Sequence, residues 1–140
     1  KSMSQIPIFG WVYTRGSVLV DRGSDSSRKQ SFDKMRKVLL IEKINMAIYP
    51  EGTRNRTGQP LKSFYDGAFK LAVDTQKPII PVVLLNTKKI LPAYPIMCFK
   101  PGKIQMDILA PISCEGHTVQ SLKQLAFDTM SAHYKTHNPA

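Results

Sequence analysis

Apolar positions recur along this chain in two rhythms, one helical and one alternating. Residues 24–40, SDSSRKQSFDKMRKVLL, place Phe32, Met35, Val38 and Leu39 at helical spacing behind Ser and Asp residues suited to an N-terminal cap. Residues 66–76, DGAFKLAVDTQ, predict a second helix with Phe69, Ala72 and Val73 inward. From about Thr118 onward, Val119, Leu122, Ala126 and Met130 share one face of a closing helix, whose tail HYKTHNPA is expected to fray. Between these lie four segments read as strands: SVLVD (17–21), NMAIY (45–49), PIIPVVLL (78–85) and KIQMDIL (103–109). In the last, Ile104, Met106 and Ile108 alternate with polar residues. Pro81 cannot donate to a ladder, so it marks an edge or a bulge. Near the start, SQIPIFGWVYTRG reads as a short helix or a membrane-facing segment. Its Phe9, Trp11 and Tyr13 form either an interfacial aromatic patch or part of the core.

Helices and strands in alternation predict an α/β fold: a central, mostly parallel or mixed sheet flanked by helices. No repeat, low-complexity tract or linker divides the sequence, so residues 1–140 are read as one unit. A chain of 140 residues that is 42% hydrophobic can bury a real core. No apolar run approaches the ~18 residues that span a bilayer, and no signal peptide opens the chain. The initiator Met is absent, which suggests a start inside a larger protein. Cys98 and Cys114 show no metal-ligand spacing, and a reducing, cytosol-facing environment is expected.

Charge narrows the partners. Twenty Lys and Arg against ten Asp and Glu give +10, which suits nucleic acid, anionic membrane, phosphorylated metabolites or an acidic protein. The basic residues Arg28, Lys29, Lys34, Arg36 and Lys37 of the first helix read most simply as a solvated face.

The densest chemistry lies in IYPEGTRNRTGQPLKSFYDGAF, residues 48–69, which leaves a predicted strand and enters a predicted helix. In α/β sheets ligands gather where loops leave the C-terminal ends of strands. Two such ends carry arginine here: VLVDR delivers Arg22 and AIYPEGTR delivers Arg54. If the two converge, their planar guanidinium groups can grip one phosphate. Gly52 permits a positive φ or a close backbone approach, Pro50 stiffens the entry, and Glu51 can orient an arginine or accept from a hydroxyl. The competing reading is a Glu–Arg surface pair in a turn, worth under ~1 kcal/mol.

Three blocks in order resemble the glycerolipid acyltransferase superfamily, most closely its lysophosphatidate acyltransferases. They are GSVLVDR (Gly16 to Arg22), YPEGTR (Tyr49 to Arg54) and the proline-bearing IIPVV (Ile79 to Val83), with IPIFGW ahead of the first. The likeness covers about residues 5–85. It implies the glycerol-3-phosphate acyltransferase type of α/β fold, of which this chain holds one partial domain, seated on the cytoplasmic face of a membrane. The reaction it implies moves a fatty acyl group from a thioester, acyl-CoA or acyl carrier protein, to lysophosphatidate, giving phosphatidate in phospholipid biosynthesis without a cofactor. It implies that Arg22 and Arg54 contact the substrate phosphate, Glu51 and Gly52 shape the glycerol-phosphate pocket, Thr53 supports that loop, and Pro81 braces the site. The alternatives are another lysolipid or glycerol 3-phosphate as acceptor, or a non-catalytic basic module for anionic lipid or nucleic acid. The chain lacks the helix-turn-helix, zinc and aromatic–basic patterns of nucleic-acid binders.

Two departures stand out. The family's chemistry rests on His-x-x-x-x-Asp, in which His is the general base and Asp holds its tautomer. Here His117, His133 and His137 have no Asp five residues on, and all three read as exposed helix or tail residues. No catalytic residue is therefore assigned, and the chain is expected to be a C-terminal portion, inactive alone, whose base lies upstream. The family's lysine before the glycine of this loop is also replaced, since Tyr65 and Asp66 precede Gly67. Lys62 or Arg56 would take its place at the phosphate, and Asp66 would cap the following helix.

Overall fold

The computed structural model describes residues 25–57, 59–92 and 100–137. The chain divides into two units, Lys1–Ala47 and Ile48–Ala140. The predicted strand at 17–21, the aromatic segment before it, Arg22 and Cys98 lie outside the described residues.

In the first unit, helix α1 spans Asp25–Leu40. Phe32, Met35, Val38 and Leu39 are half-buried along one side, while Arg28, Lys29, Lys34, Arg36 and Lys37 are exposed as anticipated. Ser31 is buried, and its hydroxyl donates back to the Ser27 carbonyl at 2.8 Å. The helix closes where Lys43 turns through φ +54° and the Ile44 N–H returns to the Val38 carbonyl at 3.1 Å.

Residues 45–49 are not the strand their sequence predicts. They are irregular, mostly exposed, and pair with no other described segment. Apolar content makes a segment compatible with a sheet, but a strand exists only through a neighbour's hydrogen bonds.

The second unit holds α2 (Gly67–Thr75), β1 (Val82–Leu85), α3 (Thr87–Ile90), β2 (Gln105–Ile108) and α4 (Val119–His137). Helix α2 buries Phe69, Leu71, Ala72 and Thr75. It stops where Gln76 adopts a left-handed φ of 52° and returns its N–H to Ala72. Helix α4 is started by a reciprocal pair: the Thr118 N–H donates to the Ser121 hydroxyl (2.9 Å) and the Ser121 N–H to the Thr118 hydroxyl (3.2 Å). The expected fraying of its tail is not found before residue 138, since the helix runs to His137 and Thr136 bonds back to Ala132.

Strands β1 and β2 pair antiparallel, Val82 opposite Ile108 and Leu85 opposite Gln105. Beyond the ladder, Ile79 pairs with Ile112. Three steps separate Ile79 from Val82 but four separate Ile108 from Ile112, so one extra residue is inserted on the second strand. Pro81 sits at this irregularity, buried, its carbonyl accepting the Leu109 N–H at 2.9 Å. The bulge reading of Pro81 therefore holds. The α/β class holds too, with an antiparallel pair as its described sheet.

The two faces of this pair differ. Val83 and Leu85 are buried, and opposite Val83 the Asp107 carboxylate meets His133 of α4 at 2.8 Å. On the other face Val82, Met106 and Ile108, with Ile104 beyond them, are exposed. The alternation read in residues 103–109 is real, but its apolar members are the exposed ones. The core lies between α2 and α4, where Phe64 stacks on Phe69 (6.0 Å) and meets Phe127 edge-on (5.1 Å), around Ala72, Leu122 and Ala126. Cys114 joins it, a free thiol donating to the Lys77 carbonyl at 2.8 Å; burial pushes its pKa up.

Candidate functional site

The loop of residues 48–66 is built from its hydrogen bonds. The Gly52 N–H donates to the Tyr49 carbonyl at 3.1 Å, closing a four-residue turn with Pro50 second and Gly52 last. Proline fixes the φ that the second position needs, and Gly52 takes φ +65°, which costs a side-chain-bearing residue. The returning arm is held twice: the Tyr65 N–H donates to the Pro50 carbonyl at 2.9 Å, and Phe64 is buried in the aromatic cluster. Past the turn, Asn55 folds the tip. Its amide donates to the Gln59 carbonyl (3.0 Å), and its side-chain oxygen accepts from the Thr57 N–H (2.9 Å) and hydroxyl (2.7 Å).

Polar side chains converge on this frame. The Lys62 ammonium donates to the Thr53 hydroxyl at 3.0 Å. The Glu51 carboxyl is half-buried, and burial pushes its pKa above the usual range. The Lys62 backbone N–H and the ammonium groups of Lys62 and Lys88 pull it the other way. Arg54 follows Thr53 on the exposed side of the loop and forms no ion pair among the described residues. One carboxylate, one hydroxyl and two ammonium groups thus surround a rigid turn beside an uncommitted guanidinium. An ammonium has three protons, and Thr53 takes one from Lys62, so donors are left for an anionic oxygen.

Of the residues singled out from sequence, Glu51, Gly52, Thr53 and Lys62 come together, with Arg54 next in the chain. Arg22 lies outside the described residues. Pro81 makes its described hydrogen bond within the sheet. Of the two candidates to replace the missing lysine, Lys62 bonds to Thr53 beside the turn. Asp66 holds the N-cap position of α2 but makes no capping bond. Its carboxylate instead pairs with Lys123 of α4 at 2.6 Å, because its own φ and ψ are already helical and aim the side chain away from the first-turn amides. Lys123 also holds the Asp66 carboxyl below the usual range.

The expectation that all three histidines are exposed is corrected at two, since His117 and His133 are half-buried. His133 is only 21% exposed and pairs with Asp107, while His137 stacks on it at 4.0 Å. The contact is long-range, across 26 residues, so no local spacing announces it. Lys88, whose charge bears on Glu51, and Asn55, which folds the loop tip, are positions that the sequence reading missed. Asn55 had a signal in the Asn-x-Thr-Gly turn chemistry; Lys88 had only its place just past a strand.

Comparison with known proteins adds the family. Residues 1–85 match the family described as Acyltransferase. An uncharacterised acyltransferase of Schizosaccharomyces pombe is 34% identical over 94% of this chain and 48% of its own length. The 1-acyl-sn-glycerol-3-phosphate acyltransferase of Haemophilus influenzae is 32% identical over 90% of this chain and 51% of its own. That of Saccharomyces cerevisiae is 35% identical over 90% and 42%. In structure the chain resembles the 1-acyl-sn-glycerophosphate (LPA) acyltransferase PlsC of Thermotoga maritima, with a TM-score of 0.79 and 21% identity over 99% of this chain and 55% of that one. The chain spans about half the length of the curated relatives it matches.

Proposed function

The chain belongs to the acyltransferase family, and from that premise we propose that it is the acceptor-binding part of an enzyme that acylates lysophosphatidate. The acyl group comes from a thioester and the product is phosphatidate, a precursor of phospholipids. Residues 1–140 form one partial domain in this reading. The observation that carries it is the turn at Glu51–Gly52, where Lys62 and Lys88 flank a half-buried carboxylate next to the uncommitted Arg54.

The acceptor's phosphate sits against Arg54 and Lys62. Charge-assisted bonds from a planar fork and a compact ammonium suit a phosphate dianion. Glu51, kept in place by the Lys62 backbone N–H, accepts from a glycerol hydroxyl, and Thr53 holds Lys62 in line. Pro81 sets the base of β1. None of the three histidines is given the role of base, because His133 is committed to Asp107, and His117 and His137 bond within their own helix or its cap. Binding orients the acceptor hydroxyl, and the proton is taken by a group outside this set.

The acceptor resides in a bilayer, and no helix among the described residues is long and apolar enough to cross one. The +10 charge supports attachment to an anionic, cytoplasmic membrane face, where each nearby Lys or Arg adds ~1 kcal/mol. The test is to supply the full-length protein with lysophosphatidate and radiolabelled acyl thioester. Labelled phosphatidate is the expected product. Equal labelling of glycerol 3-phosphate would move the assignment to that acceptor, and no labelled lipid would remove it.

A further inference from the structure

Arg54 and Lys62, the two cations assigned to the acceptor's phosphate, stand on opposite limbs of the loop, and residues 55–61 connect them. The backbone bonds at the loop's base, Gly52 to Tyr49 and Tyr65 to Pro50, stop short of this tip. One side chain ties the tip itself. The Asn55 carboxamide donates to the Gln59 carbonyl at 3.0 Å and to the Pro60 carbonyl at 3.4 Å. Its oxygen accepts from the Thr57 N–H at 2.9 Å and from the Thr57 hydroxyl at 2.7 Å. That hydroxyl accepts in turn from the Gln59 N–H at 3.3 Å, so a chain of bonds runs from one limb to the other.

A primary amide suits this place. Its NH2 group faces two carbonyl oxygens and its oxygen faces two donors, so the flipped orientation would set like dipoles together at every contact. A carboxylate could keep the bonds to Thr57 but has no proton for either carbonyl. Asn55 is half-buried, while Thr53, Arg54, Arg56 and Thr57 around it are exposed. It follows Arg54 directly, and Pro60 stands two residues before Lys62, so the tie lies next to both cations. Lys62 is half-buried too and bonded to Thr53 at 3.0 Å.

We propose that Asn55 is a positioning residue for the acceptor's phosphate, holding the limbs that carry Arg54 and Lys62 in one arrangement before the phosphate binds. The inference rests on the lysophosphatidate reading and deepens it. Asn55 contacts no substrate in this account and acts through the two cations. On an untied tip, both would have to be ordered as the phosphate arrives, and that ordering subtracts from affinity. A tied tip is ordered when the chain folds.

Initial-rate kinetics on the full-length protein test this with Asn55→Ala, alone and combined with Lys62→Met, and circular dichroism checks that each variant folds. Asn55→Ala should raise the lysophosphatidate KM about fivefold to tenfold and leave the donor KM and kcat within about twofold. Its Thr57 amide hydrogen should exchange faster, because the carboxamide oxygen that accepts it is gone. Thr57→Val, which deletes only the hydroxyl link, should act in the same direction by about two- to threefold. In the Lys62→Met background, Asn55→Ala should add less than about twofold, since no second cation is left to align with Arg54. An unchanged acceptor KM in Asn55→Ala overturns the proposal, even where Thr57 exchanges faster. Equal rises in acceptor and donor KM, the mark of a purely structural turn, overturn it as well, and so does full additivity with Lys62→Met. The parent reading fails separately. If Lys62→Met itself leaves the acceptor KM unmoved, the phosphate lies elsewhere and the proposal goes with it. If Lys62→Met raises that KM and Asn55→Ala does not, the acceptor reading stands and only the role of Asn55 falls.

Discussion

Lys62 donates its ammonium to the Thr53 hydroxyl across 3.0 Å, joining the two arms of a loop nine residues apart. The bond aims a long, flexible side chain at the turn before any ligand arrives. Replacing Lys62 with Met keeps the stem and removes the charge. Losing one charge-assisted bond to a phosphate should raise the lysophosphatidate KM about tenfold or more, with the donor KM unmoved. Thr53→Val should act in the same direction but less, because it frees the ammonium without deleting it. Initial-rate kinetics on the full-length protein decide this, and an unchanged acceptor KM in the Lys62 variant would place the phosphate elsewhere.

Arg54 gives a sharper expectation. It has no ion-pair partner among the described residues, so its removal breaks no described structural pair. Arg54→Ala should leave the melting temperature within about 2 °C, since exposed substitutions usually stay within ±0.5 kcal/mol. The same change should lower kcat/KM for lysophosphatidate by about tenfold or more. A large melting shift would mean that Arg54 is structural.

Gly52 tests the frame instead of the charges. At φ +65° a Cβ meets the following carbonyl oxygen, so Gly52→Ala should cost about 1–2 kcal/mol. Urea titration followed by far-ultraviolet circular dichroism measures it. Neutrality would mean that the turn re-forms in another conformation.

The core makes the fourth case. Leu122 is fully buried in the cluster joining α2 and α4. Leu122→Ala should destabilise by about 2–5 kcal/mol, the range for an aliphatic side chain whose cavity only partly collapses. A cost below ~1 kcal/mol would mean that α4 is loosely docked.

Much of this was written locally in the chain. The three longer helices follow from apolar spacing, and Pro81 announced a break in the ladder because a proline lacks an N–H. The turn was legible too, since Pro and Gly at its second and last positions are chemical requirements. What sequence could not supply was partnership. Residues 45–49 look like a strand until a neighbour is required. Ile104, Met106 and Ile108 alternate correctly, yet alternation does not say which face is covered. Asp66 stands where a cap belongs but pairs with Lys123, 57 residues away. Lys88 bears on Glu51 through its charge, a proximity that only the folded chain supplies.

The Asp107–His133 contact carries a pH dependence whose sign can be worked out. The Asp107 carboxyl is held below its usual range chiefly by the hydrogen bond to His133, then by Gln105, with the charges of His133 and His137 adding to it. A carboxylate whose pKa is lower folded than unfolded stabilises the fold above its unfolded pKa, about 3.9, and that contribution is lost as pH falls through the folded value. Stability in urea should therefore decline on the acid side of about pH 4. Asp107→Asn should lower the urea midpoint at neutral pH and narrow its gap from the parent protein as pH falls below that point. His133→Ala should shrink the same acid-side dependence, because it removes the largest of these interactions, the hydrogen bond to the Asp107 carboxylate. Parallel midpoint-versus-pH curves for the parent and Asp107→Asn proteins would show that the pair contributes nothing to holding β2 on α4.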